Sequence, residues 1–600
     1  MVSSSNFVFA TNLDTLQENG CKTVHLNGHV IAIFAHEDGV HAVDNRCPHM
    51  GFPLDTGTVN DGILTCHWHH ARFCLKTGGT FNQFADDVRS FPVEIRGENG
   101  SSEVWVDVGT KQDEHERQRK RLDVGMERDI PLVLGKASLT LMEAGQDPTE
   151  PFRSGIEFGT RNRDQGWGQG LTMHVCMMNL IPYLEPEDQP RAMYHGLSAV
   201  ARDSVGHPPR FVVPPLPRSE AAAEEDDYLT TLKRWFRGFI EVRDAEGAER
   251  CIVSAIQAGA TSETMADMLF SAVTDYRYID IGHPADFTNK AFEALDVVGW
   301  EHAEAVLTSL VSGYAGATRM EESSAWRHPI DLIEILSDTF AQLSEAVALG
   351  QGQLGPWSGT DTESSAREAL TDILLSKEPT EIVTAMLDAL RSGCSMIQLS
   401  EIVTYAAALR IARFHTSNEF GDWDTALHTF TFANAIQQGL GRAPSVELLR
   451  GVFDAAMSVY LDRFLNIPPA RLPQPNGETS TPAAILATFP PLLDRQQQIN
   501  PSAQLVIDYL HGNGEPEQLL AMLGKLLLRE DRDFHTIQSV EAAFRVYGIL
   551  KEQQEGAHVL VAAARYLAAH SPTVRAQGQT YQIAYRLHRG DNLFLDEEVI

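Results

Sequence analysis

The residues best suited to chemistry are two short cysteine–histidine boxes, Cys47-Pro48-His49 and Cys66-His67-Trp68-His69. The spacing is C-x-H followed by C-x-x-H, with strand-like sequence before each box. Two thiolates and two neutral imidazoles can hold a tetrahedral zinc. The same four groups can hold a [2Fe–2S] cluster, with the cysteines on one iron and the histidines on the other. The donor set alone leaves both open.

The surrounding residues favour the cluster. The run CPHMGFPLDTGTVNDGILTCHWHHARFCLKTGGTF resembles the Rieske iron–sulfur domain, with both boxes in order and a glycine-rich return after the second. The resemblance spans residues 7–109. It implies an antiparallel β sandwich or barrel in which Cys47 and Cys66 bind the inner iron and His49 and His69 the outer one. Respiratory-type Rieske domains carry an extra cysteine in each box, where this chain has Phe52 and Trp68. It therefore resembles the ferredoxin and oxygenase branch. Ala71 stands where the respiratory type places a serine near the cluster sulfur. Fewer hydrogen bonds to sulfur imply a potential toward the low end of the roughly −150 to +300 mV Rieske range.

A second set of candidates lies beyond residue 110. In ARFHTSNEFGDWDTALHTFTFANA, His415 and Glu419 are one helical turn apart, as are Asp424 and His428. Two short helices meeting at Gly421 would turn two imidazoles and two carboxylates toward one point, an environment suited to non-heme Fe(II). His535, in EDRDFHTIQSVEAAF, has Asp531 one turn upstream, and His283 has Asp286. His195, His302 and His328 are weaker candidates, because a lone helical histidine beside a carboxylate is commonly a core or capping group. The Glu-x-x-His pattern of di-iron bundles occurs once after residue 110, at Glu555–His558, where that fold needs two.

The elements that must position these groups fall into two regions. Asn-Gly and Asp-Gly pairs between β-branched runs mark hairpins up to about residue 109. From about 150, apolar residues recur at three- and four-residue spacing, the helical period. The expected architecture is multidomain: a β domain over 1–110, a charged, solvated linker helix over 111–150, and an all-α region over 151–600, in one or two lobes. Loops are expected at 207–226, 350–364 and 466–482, where glycine and proline cluster. His283-Pro284-Ala285-Asp286 and His328-Pro329-Ile330-Asp331 read as two helix starts of the same design.

Composition narrows the function classes. The 600 residues carry 48 basic and 81 acidic side chains, a formal charge of −33, which disfavours nucleic acid and anionic membrane surfaces. No signal-peptide pattern and no long apolar run is evident, and seven cysteines are too few for a disulfide framework. A cytoplasmic protein is expected, and an oligomer is compatible with the sequence. GQGQLG at 350–355 matches a dinucleotide-loop spacing but follows helical sequence, so electrons are expected from an external reductase or ferredoxin. Two functions are consistent with these features. One is an oxidoreductase that passes electrons from the cluster to a non-heme iron for dioxygen-dependent oxidation of a small organic substrate. The other is a ferredoxin-like carrier or redox sensor whose metal-free helical domain binds a partner or ligand.

Overall fold

The computed structural model describes residues 6–97, 102–109, 111–143, 146–217, 228–353, 355–358, 360–477 and 480–595. Parts of the three expected loops, including 218–226, fall outside them. The chain divides into two compact units, Met1–Asp147 with Gln579–Ile600, and Pro148–Gly578.

The described residues of the first unit form ten strands: β1 (Phe7–Asn12), β2 (Cys21–Leu26), β3 (His29–His36), β4 (Gly39–Asp44), β5 (Thr58–Asn60), β6 (Ile63–Thr65), β7 (Arg72–Cys74), β8 (Ser90–Phe91), β9 (Val93–Arg96) and β10 (Glu103–Asp107). They form three antiparallel sheets, ordered β1-β10-β9, β2-β3-β4-β8 and β5-β6-β7. The β2–β3 turn at Asn27-Gly28 and the β5–β6 turn at Asp61-Gly62 place both central residues at positive φ. A type I′ hairpin demands this, and Asn and Asp tolerate it better than other non-glycine residues. Ile31, Ile33, Val104 and Val106 fill the core between the two larger sheets. A second core of Leu54, Leu64, Phe73 and Leu75 lies beneath the small sheet.

The 111–150 segment departs from a solvated linker. It forms helices Lys111–Glu127 and Pro131–Leu141, which belong to the first unit and bury Leu122, Met126, Val133, Leu134 and Leu139. The charges that made it look solvated are used instead, since Arg121 pairs with Asp86 of the β domain. Gln579–Ile600 also belongs to this unit. Its Leu587 carbonyl accepts from Arg46 at 2.9 Å, and Phe594 packs on Phe52 at 5.2 Å between ring centroids.

The second unit is helical. Helix Phe420–Arg442 is buried around most of its circumference from Trp423 to Leu440, the signature of a central helix. Helix His283–Val298 opens with Pro284 in its first turn, as its sequence indicates. The second His-Pro-x-Asp does not repeat the design: its helix begins at Leu332 with Asp331 as the cap, and His328 is exposed. Among the described residues, no helix is long and apolar enough to cross a membrane.

Candidate metal centres

The β4–β5 loop carries Cys47 and His49, and the β6–β7 loop carries Cys66 and His69. Each loop is closed by backbone bonds across it, Cys47 N–H to the Phe52 carbonyl at 2.8 Å and Cys66 N–H to the Ala71 carbonyl at 2.9 Å. Gly51 turns the first loop at φ +80, and a Cβ there would meet the Leu587 side chain at 2.7 Å. Cys47 and Cys66 are 3% and 1% exposed, and their thiols hydrogen-bond to each other. That bond raises the Cys47 thiol, reinforced by burial, and lowers the Cys66 thiol. The His49 and His69 rings are 4.8 Å apart and nearly perpendicular. Burial pushes His49 down to about 4, and it lowers His69 as well. His49 Nδ1 is buried without a hydrogen-bond partner, an atom that a metal would satisfy. Two buried thiols and two neutral imidazoles, carried on the same two loops, fit a [2Fe–2S] cluster.

Phe52 and Trp68 pack together at 5.9 Å, filling with aromatic surface the places where the respiratory type has cysteines, and all seven cysteines are free. Trp68 also lies 4.3 Å from the His69 ring. His67 and His70, beside the ligand positions, are exposed.

In the helical unit, His283, His428 and His535 present ring nitrogens that all lie within 4.8 Å of one another. They come from helices His283–Val298, Phe420–Arg442 and Phe534–Leu550. His428 Nε2 and His535 Nε2 are 3.1 Å apart. Metal–nitrogen bonds of about 2.1 Å put adjacent ligands of an octahedron about 3.0 Å apart, so this pair already has the spacing of two ligands. Burial drives His428 down to about 3, helped by His283 and His535. Burial likewise drives His283 to about 4, helped by His535. Neutral imidazole is the form that ligates metal. Phe287 and Phe534 stand 5.5 and 5.7 Å from the His283 ring and wall this side with apolar surface.

The backbone before His283 is strained. Tyr278, Asp280, Ile281 and Gly282 all have positive φ. For the three non-glycine residues such conformations cost on the order of 1–3 kcal/mol each, and most for a β-branched residue like Ile281. Asp280 is held on both sides, its N–H donating to the Thr318 carbonyl at 2.7 Å and its carboxylate accepting from the Thr318 hydroxyl at 2.9 Å. A Cβ at Gly282 would sit 2.8 Å from Phe432 Cβ, so only glycine passes there. The left-handed run delivers His283 to the other two histidines. Strain concentrated beside a ligand candidate points to function.

Of the six second-site candidates, three meet and three do not. Asp424 stands behind His535, its carboxylate 3.8 Å from His535 Nδ1. Tyr566 donates to the same carboxylate at 2.7 Å, and His570 Nε2 lies 3.6 Å from it. Asp424 thus stands behind His535, and in place of the expected two imidazoles and two carboxylates the structure gathers three imidazoles. His415 and Glu419 are elsewhere. His415 bonds to Ser417 at 2.6 Å and lines a separate cavity with Arg471 and Arg565. Glu419 caps helix Phe420–Arg442. The expected break at Gly421 is absent because the glycine lies inside the first turn of that one helix, and this parts His415 from His428. His195 is buried, His302 faces Glu157 at 3.9 Å, and His558 bonds to the Tyr405 hydroxyl at 2.7 Å.

Two outcomes follow from this geometry. Asp424→Asn is expected to weaken metal binding 10–100-fold while leaving the fold intact, as loss of an orienting carboxylate does at other centres. Chelator competition measures it, and unchanged affinity would remove Asp424 from the site. The second outcome concerns pH. Unfolded imidazole titrates near 6.5, whereas folded His283 and His428 refuse protons down to about 4 and 3. The unfolded chain therefore binds the extra protons. The metal-free helical unit should hold its full stability above pH ~6.5 and lose up to about 1.4 kcal/mol per pH unit for each histidine as the pH falls toward 4. Urea unfolding of metal-stripped protein at pH 7 and pH 5 measures the loss, and equal stabilities would contradict it.

Comparison with known proteins agrees with the first centre. Residues 6–92 match the Rieske [2Fe-2S] domain family model. The ferredoxin component of the naphthalene 1,2-dioxygenase/salicylate 5-hydroxylase systems of Ralstonia sp is 29% identical over 93 residues, which is 15% of this chain and 89% of that protein. The 3-phenylpropionate/cinnamic acid dioxygenase ferredoxin subunit of Shigella boydii is 32% identical over 81 residues, 13% of this chain and 73% of the relative. Among solved structures, the ferredoxin of carbazole 1,9a-dioxygenase from Nocardioides aromaticivorans is 25% identical. The match covers 17% of this chain and 95% of that one, with a TM-score of 0.16. The paired cysteine and histidine loops, the antiparallel sheets that hold them, the family match and the ferredoxin sequences of Ralstonia and Shigella agree: the chain belongs to the Rieske [2Fe–2S] domain family, with an electron-transfer domain at its N-terminus and a large helical region after it.

Proposed function

We propose that this chain is a two-centre oxidoreductase. Cys47, Cys66, His49 and His69 hold the [2Fe–2S] cluster, and His283, His428 and His535 hold a non-heme iron that serves dioxygen-dependent oxidation of a small organic substrate. The observation that carries this reading is the convergence of three imidazoles from three helices in a chain that also has a Rieske domain. When bound, the cluster supplies one-electron transfer, and an iron on three imidazoles keeps further coordination positions for dioxygen and substrate.

The protein's own residues supply the rest. Exposed His69 gives the cluster an edge through which an external reductase or ferredoxin can deliver electrons. The Asp424 carboxylate, fixed by Tyr566, lies 3.8 Å from His535 Nδ1 and favours the proton on that nitrogen electrostatically, which would leave Nε2 to ligate. Phe287 and Phe534 exclude water from one side of the His283 ring. The dioxygenase systems named for the ferredoxin relatives support a role in oxygenation.

The test is iron per chain in anaerobically prepared protein, combined with EPR. About three irons are expected, two in a cluster with a Rieske signal and one outside it. A value of two, with every iron in the cluster, would leave the electron-carrier function and remove the oxidase centre.

A further inference from the structure

In the helical unit, the proline-rich stretch Pro468–Pro473 lines a cavity of about 410 Å³. This stretch is tied down at two points. The Ala470 N–H donates to the Arg413 carbonyl at 2.7 Å, and the Gln474 carbonyl accepts from the Gln504 side chain at 2.7 Å. Helices Ile499–His511 and Gln554–Ala569 add Asn500 and Arg565 to the lining.

Arg565 is the anomaly there. It is 1% exposed, and an arginine taken out of water normally has a carboxylate with it. The other four buried arginines among the described residues follow this rule. Arg277 pairs with Asp454 at 3.0 Å, Arg367 with Glu401 at 3.1 Å and Arg532 with Glu530 at 3.0 Å, while Asp462 opposes the effect of burial on Arg410. Arg565 has neutral acceptors instead, Asn500 Oδ1 at 2.6 Å and the Phe414 carbonyl at 2.5 Å, and its Nε is buried without a partner. A carbonyl satisfies a guanidinium's hydrogens but cancels none of its charge. Burial accordingly pushes Arg565 down to about 10, with no carboxylate acting against it.

The rest of the lining has the same sign. Arg471 is exposed and makes no hydrogen bond or ion pair among the described residues. His415 Nδ1 accepts from the Ser417 N–H at 3.2 Å, which puts the proton of the neutral ring on Nε2 and makes that atom a donor. Among the described residues no carboxylate lines the cavity. Asp508, which accepts from Gln504 at 2.9 Å, lies outside the lining and pairs with neither arginine. In a chain with 81 acidic and 48 basic side chains, two unopposed cations at one cavity are a local reversal of charge.

We propose that this cavity binds a small organic carboxylate, with its anionic end on Arg565 and Arg471 and its apolar body against Pro469, Leu472 and Pro473. Guanidinium forks match the two oxygens of a carboxylate. The volume falls within the range of about 300–1,000 Å³ usual for small-molecule sites. The prolines and Leu472 offer an apolar body a surface that inorganic phosphate would leave unused. The site shares no residue with either metal centre and stands without them.

Calorimetric titration of the full chain with hexanoate is expected to show one saturable site. Arg565→Gln should weaken it at least about tenfold, through loss of the buried charge that meets the carboxylate. Arg471→Glu should weaken it at least about tenfold by setting a like charge against the ligand. Arg471 is exposed and has no partner to lose, so this variant keeps its fold even where Arg565→Gln does not. Unchanged affinity in Arg471→Glu, or no saturable binding of hexanoate by the wild type, overturns the site. Hexylamine, of the same length and opposite charge, should not bind, and binding equal to that of hexanoate would reduce the cavity to an apolar cleft. Tighter binding of inorganic phosphate than of hexanoate overturns the carboxylate assignment in favour of a phosphate-bearing ligand.

Discussion

The Cys47→Ser/Cys66→Ser variant is expected to lose its Rieske EPR signal and keep about one iron per chain, while His428→Ala keeps the signal and loses that iron. The first variant removes both thiolates of the inner iron, and a [2Fe–2S] cluster does not persist on two histidines. The second removes the proposed ligand whose Nε2 is 3.1 Å from that of His535. Loss of a direct ligand should cost more than the 10–100-fold typical of an orienting residue. The two losses should be independent, because the ligand sets share no residue. Iron remaining in His428→Ala outside the cluster would show that the three histidines are not the centre. Both metals vanishing from the cysteine variant would show that the second iron depends on the first.

Lys290→Met should destabilise the helical unit by about 3–5 kcal/mol. Lys290 is 1% exposed, and its ammonium pairs with Glu293 at 3.0 Å and Glu541 at 2.7 Å. Asn179 donates to both carboxylates, and Arg545 reaches Glu293 at 3.0 Å. Burial alone would raise the Glu293 carboxyl, but Lys290 and Arg545 overcome it and hold it below its ordinary value. Methionine leaves two buried carboxylates with one partly exposed arginine between them. A Lys290→Met/Glu293→Met/Glu541→Met variant should recover part of the loss, because replacing a whole buried ionic group is far less costly than orphaning part of it. Urea unfolding at pH 7 reads both. A single-variant loss below about 1 kcal/mol would mean that water reaches these charges.

This network also shows what sequence patterning conceals. Lys290, Glu293 and Glu541 are charged residues within helices of apolar period, yet all three are buried. Period alone tells which residues share a face, and the packing of neighbouring helices decides whether that face meets water. The 111–150 segment misled for the same reason: its charge density suggested a solvated helix, whereas Arg121 and Lys136 are directed at the β domain.

The chain's sequence determined the setting of the first centre almost completely, because each proposed ligand box sits in one loop between strands consecutive in the chain, β4–β5 and β6–β7. Hairpin turns marked by Asn-Gly and Asp-Gly set the strand register locally, and the register sets where Cys47, His49, Cys66 and His69 stand. The sequence also pointed to His283, His428 and His535 one at a time, each by a carboxylate one turn away. It could not select them over His415 and Glu419. Those two are near His428 in the chain, but an uninterrupted helix carries them away from it. Only the tertiary structure, with a left-handed run before His283 and three helices packed together, brought residues 145 and 107 positions apart into one site. Ligand boxes carried on loops between consecutive strands follow largely from local sequence. Ligand sets drawn from separate helices follow from how those helices pack, which depends on side chains spread over the whole unit.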